Sequence, residues 1–249
     1  MIKPTARMHL SPDDVQFIAT TLGKSRAGYE AVLSLLASES DRDAILDDPE
    51  LFESITTQPA PANISLSLYF YVLIRHALRH FGMEKVDISD YLASMLAEFS
   101  KPGRAEMISE SSQKEYRYLV DMLAALLEAA NAEQEFEIQS HIGNYSMFLA
   151  GVFPDYIYKR ATYGRPGPDV SYYEQVGSSG YQHASRSRAA EKFNLSEIFS
   201  VLASHFSEIR RALNYMADQY MHLDRQPNSM DKMMRRVQDY IASNRMRFS

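Results

Sequence analysis

Apolar residues in this chain recur at spacings of three and four along most of its length, and no convincing run of alternating β-branched residues interrupts them. That spacing lays an apolar stripe along one side of an α-helix, whereas a half-buried strand needs a period of two. The implied fold class is all-α. Glycine usage agrees: 10 glycines in 249 residues is well below the ~7% typical of globular chains.

Punctuation places the helices. Ser11-Pro12-Asp13-Asp14 is a helix start, with serine at the cap, proline at the first position and acids at the positive end of the dipole. Gly23 ends the apolar run that follows. Further helices are expected over 27–37, 42–47 and 49–56, then a loop over 57–63 carrying Pro59 and Pro61. Residues 64–81 are apolar almost all round and closed by Gly82, the pattern of a helix at the centre of a core. A helix opened by Asp87 or Ser89 runs to Phe99, and Lys101-Pro102-Gly103 makes a turn. Helices are then expected over 112–130 and 135–151, with Phe153-Pro154-Asp155 breaking into a new helix to 162. After a loop at 164–168 come helices over 171–188, 195–223 (capped by Asn194) and 229–245.

No repeat period emerges, and no linker is long enough to force a second domain. The expected architecture is a single all-helical domain over 1–249, a multi-helix bundle of about nine to eleven helices, mostly antiparallel neighbours.

A chain this long, 45% apolar, can bury a sizeable core without staples. It has no cysteine, which removes disulfides, thiolate nucleophiles, Cys-type zinc sites and Cys-ligated clusters. The longest apolar stretch, 64–74, is too short to span a bilayer, and residues 1–10 lack a signal-peptide core. A cytoplasmic protein without a membrane partner is expected. Charge is uneven: 1–150 carries 12 basic against 22 acidic side chains, net −10, and 151–249 carries 14 against 10, net +4. The net −6 argues against nucleic acid as a partner, while the mildly basic C-terminal part leaves room for an anionic one.

One window departs from the background. Residues 141–181 hold 6 of the 10 glycines and 7 of the 16 tyrosines. Two readings follow. In the first, Gly143, Met147 and Gly151 form a small-residue stripe on one helix, and Tyr173, Gly177, Gly180 and Ala184 form another, so that two helices pack closely. In the second, the window builds a pocket for a small polar or anionic ligand or a partner peptide. Glu137, His141, Asn144 and Tyr145 share a helix face; Asp155, Tyr156 and Arg160 follow the Pro154 break; Tyr173 and Tyr181 complete the set. Arg160 can hold a carboxylate or phosphate through two parallel hydrogen bonds, and His141 can exchange a proton near neutral pH. An enzyme using His141 as general acid or base, oriented by Asp155 or Glu137, is the alternative, and a structural homo-oligomer or homodimer a third.

No cofactor motif is present. The chain has no Glu-x-x-His pair of the di-iron type, no His-Glu-x-x-His, no P-loop and no Gly-x-Gly-x-x-Gly. His76 and His80 stand one turn apart, but Arg75 and Arg79 flank them and oppose a cation. Two basic segments remain: Arg186, Arg188 and Lys192 at a helix junction, and the Met-rich 229–245.

Overall fold

The computed structural model describes residues 1–56, 64–109, 114–163 and 167–221; the side chains of 159–163 and the segments between and beyond these ranges lie outside it. The loop expected over 57–63 and the helix over 229–245 therefore fall outside the described residues. Those residues form thirteen α-helices and no strand, an all-α fold. No helix among them is long and apolar enough to cross a membrane. The helices fall into two compact units, one over 4–97 and one over 1–3 and 98–221.

The first unit contains α1 (Pro12–Gly23), α2 (Arg26–Leu36), α3 (Glu39–Leu46), α4 (Pro49–Thr56), α5 (Leu66–His80) and most of α6 (Val86–Phe99). Helix α1 starts as its sequence dictates. The Ser11 hydroxyl accepts from the Asp14 N–H, and the Asp14 carboxylate accepts from the Ser11 N–H. Asp14 also accepts from the Ser65 N–H at 2.7 Å, and Ser65 caps α5. One buried carboxylate thus ties two helix starts together. Helix α5 is buried from Leu68 to Arg75 without a break. It ends in a left-handed turn: Gly82 has φ 79°, its N–H donates to the Arg79 carbonyl, and the Met83 N–H donates to that of Leu78.

The second unit begins with a short 3-10 turn at Arg104–Glu106 and α7 (Leu119–Leu127). The helix expected over 112–130 is shortened to α7, because 114–118 finds other backbone partners: the Tyr116 N–H donates to the Glu106 carbonyl, and the Tyr145 hydroxyl to that of Arg117. The outward side of α7 leaves Val120 and Leu127 exposed.

Helix α8 (Ala132–Val152) is the centre of this unit, buried at every position from Ile138 to Val152. Pro154 opens α9 (Pro154–Tyr163), as expected. Lacking an N–H, Pro154 cannot satisfy the Ala150 carbonyl four residues back. The Asn214 amide does so, donating to the Ala150 and Gly151 carbonyls at 2.9 and 2.6 Å. Asn214 is itself held by Arg210, which also pairs with Glu174.

Helices α10 (Val170–Ser185), α11 (Arg188–Lys192), α12 (Ser196–Ser204) and α13 (Phe206–Tyr220) complete the unit. The single helix expected over 195–223 is two. Ser204 bonds back to the Ser200 and Val201 carbonyls, and the Ser178 hydroxyl takes the Ala203 carbonyl, so the chain turns at His205 without stranding these groups. Asn194, read as the cap, adopts φ 55° at the exit of α11, and Leu195 precedes α12.

Candidate functional site

The glycine-rich window resolves into a close crossing of α8 and α10. A Cβ added at Gly143 would lie 2.6 Å from the Tyr181 ring, and one at Gly177 would lie 2.5 Å from the Ser146 Cβ. One at Gly180 would meet the Gln139 carbonyl oxygen at 2.8 Å. Both stripes read from the sequence are therefore contact surfaces, and Gly151 meets Leu213 of α13 in the same way.

The candidate ligand-binding residues separate into two groups. His141, Asn144, Tyr145, Tyr173 and Tyr181 are all buried in the second unit. The Tyr181 hydroxyl donates to Asn144 Oδ1 at 2.9 Å, and the Tyr181 ring stacks on Phe199. The Tyr145 and Tyr181 hydroxyls find their polar partners inside the protein, as buried phenols do. Asp155 is exposed and Tyr156 half-buried on α9, beyond the far end of α8 and about three turns from His141. Arg160 lies on α9, with its side chain outside the described residues.

His141 sits edge-on to Phe99, with a chamber of only about 10 Å³ beside it that Glu137, Ser140 and Arg104 help to line. Its Nε2 has no hydrogen-bond partner among the described residues. Burial and the nearby Arg104 push its pKa down to about 3, against a hydrogen bond with the Ala105 backbone that favours the proton. At neutral pH the ring is uncharged, which gives acid–base work at His141 no support.

The sign of the resulting pH dependence is fixed. Between about 3 and the ordinary histidine value, the unfolded chain takes up a proton that the folded chain refuses, so stability falls as pH falls. Taking pH from 7 to 5 is expected to remove about 2 kcal/mol through this residue. Urea denaturation of the native chain and His141→Gln at both pH values checks it: the variant should show a shallower loss. Equal losses would remove His141 as the cause.

An open cavity of the second unit lies elsewhere, between the first turns of α8 and the α10–α11 junction, with a volume of about 620 Å³; Glu133 also borders a neighbouring cavity of about 380 Å³ beside Tyr116 and Ile138. Phe136, Ala184, Ala189 and Phe193 give it an apolar floor. Arg186, Arg188 and Lys192 line one side, all exposed and none in an ion pair among the described residues. The ammonium groups of Lys3 and Lys192 stand 5.1 and 5.4 Å from the Phe193 ring centroid. Glu133 and Glu135 line the side formed by α8, where acids also complement the helix N-terminus.

The sequence marks the basic junction but not the cleft. Phe136 and Phe193 stand 57 positions apart, and no local pattern announces that a helix start and a helix end will face each other. A second cavity, in the first unit, is crossed by the Arg75–Asp47 and Arg79–Asp47 ion pairs, and His76 stacks on Phe52 at its edge. Among the described residues, no three histidine or acidic side chains are placed to hold a metal ion.

No known protein family, curated protein or solved structure matches the chain.

Proposed function

We propose that the protein is a binding module whose site is the α8–α10–α11 cleft, and that its ligand carries an anionic group on an apolar body. One observation carries this reading: three cations without ion-pair partners among the described residues border a 620 Å³ cavity lined by two phenylalanines. Its size is that of an ordinary small-ligand or side-chain pocket. Guanidinium groups suit planar carboxylate or phosphate, and the aromatic floor suits the body that bears it. The site lies at the edge of the tyrosine-rich helix pair, whose packed glycines hold α8 and α10 rigidly against each other.

Titration with 3-phenylpropionate, followed by amide NMR shifts, tests this. Shifts are expected around 132–139 and 183–193, weakening as salt rises because the rim is exposed. Arg186→Ala with Arg188→Ala should weaken binding about tenfold while leaving the urea midpoint unchanged, since both side chains are exposed and neither is in an ion pair among the described residues. Unaltered affinity in that double variant, or shifts confined to other helices, defeats the reading.

A further inference from the structure

The two sides of this cleft carry opposite charge, and no salt bridge joins them. Glu133 and Glu135 stand on α8; Arg186, Arg188 and Lys192 stand on the α10–α11 side; none of the five pairs with any described residue within 4.0 Å. Surface charges of opposite sign at bonding distance ordinarily pair with each other. Here the two sets stand more than 4.0 Å apart, and Phe136, Ala184 and Phe193 line the same cleft. A ligand with only an anionic group would satisfy one wall and leave its charge facing two carboxylates. A ligand with a cation at one end and an anion at the other satisfies both.

From this we propose that the cleft takes an ampholyte of short-peptide length, its cationic end toward Glu133 and Glu135, its anionic end toward Arg186, Arg188 and Lys192, and an apolar side chain on the phenylalanine floor. The inference rests on the anion-binding reading above and names the ligand class within it. The size suits such a ligand: a volume of about 620 Å³ lies in the range of pockets that bury a whole small ligand, which leaves room for a short peptide. Order along the cleft is then fixed, because reversing the ligand would set like charges against each other at both ends.

Three peptides of one sequence separate the possibilities: Ala-Phe-Ala with free termini, the same peptide N-acetylated, and the same peptide with a C-terminal amide. Dissociation constants come from amide NMR shifts of the full chain. The free peptide is expected to bind about fivefold more tightly than the N-acetylated form, the scale of one or two exposed ion pairs. Glu133→Gln with Glu135→Gln should erase that difference without weakening the N-acetylated peptide. Equal binding of the free and N-acetylated forms overturns the ampholyte and leaves the anion-binding site standing. Tightest binding by the amide, or no binding by any of the three, overturns the anion-binding reading itself.

Discussion

Replacing Gly180 by alanine is expected to destabilise the protein by about 3 kcal/mol, the upper end of what over-packing a core costs. The sign is the informative part. Gly180 lies inside α10, where alanine is the better helix former by about 1 kcal/mol. Propensity alone therefore predicts a more stable protein. The added methyl, however, would stand 2.8 Å from the Gln139 carbonyl oxygen and 3.1 Å from the Gly143 nitrogen. Both are backbone atoms of α8 in its buried stretch and cannot swing aside as a side chain would. The two helices must separate, and Tyr181, hydrogen-bonded to Asn144 and stacked on Phe199, separates with them. Gly151→Ala supplies the contrast: its new methyl meets Leu213 Cδ1 at 2.9 Å, which a rotamer change can withdraw, and Cβ at 3.0 Å, which needs a small shift of α13, so a smaller loss of about 1–2 kcal/mol is expected. Gly82→Ala would meet no atom within 4 Å but would be strained by φ 79°. Urea midpoints for the three variants rank the crossing; a Gly180→Ala protein more stable than the native one would show that the helices are not held at this distance.

That crossing was legible in the sequence, and the reason is physical. Spacing on a helix maps directly onto a face, so two stripes of small residues in neighbouring helices announce close approach. The same logic read the α1 cap at Ser11, the core position of α5 and the break at Pro154. What it missed depends on partners far away in the chain. Ser178 and Asn214 each take carbonyls that a continuous helix would have used, and nothing near residue 204 or residue 150 records that they will. The merged helix over 195–223 and the overlong one over 112–130 are both errors of this kind.

The candidate site shows the same division. His141, Asn144 and Tyr145 share a face as predicted, but whether a polar face lines a cavity or is covered depends on which helix packs over it. Tyr181 reaches Asn144, and the Tyr145 hydroxyl reaches the Arg117 carbonyl. The polar groups of Asn144, Tyr145 and Tyr181 hold the core together, and His141 Nε2 is left facing a chamber of about 10 Å³. The cleft, in contrast, is built by residues whose sequence signals were individually ordinary: exposed acids in a first helical turn, exposed bases at a junction, and two phenylalanines.

Arg75→Ala in the first unit is expected to cost about 2–3 kcal/mol, below the ~3–5 of a fully buried ion pair because Asp47 is 22% exposed. In the sequence Arg75 reads with His76, Arg79 and His80 as a basic helix end, where cations complement the dipole. The structure gives Arg75 a different duty from its neighbours. Its side chain is only 7% exposed, and its Nε and Nη2 donate to the two oxygens of Asp47 at 2.8 Å each, a two-point pairing across α5 and the end of α3. Its Nη1 donates to the Glu84 carbonyl at 2.8 Å, fixing the turn after α5 as well. Removing the guanidinium leaves Asp47 with only the more distant Arg79 at 3.4 Å and leaves the Glu84 carbonyl without this donor. Lysine keeps the charge but cannot make both parallel bonds and the third, so Arg75→Lys should recover less than half of the loss. Asp47→Asn combined with Arg75→Met should cost less than Arg75→Ala alone, because an unpaired carboxylate is then no longer left beside an apolar helix. Thermal and urea unfolding of the native protein, Asp47→Asn, Arg75→Met and the double variant measures the coupling. If the double variant is as unstable as the sum of its single changes, Arg75 and Asp47 act independently and the pairing contributes nothing beyond side-chain packing.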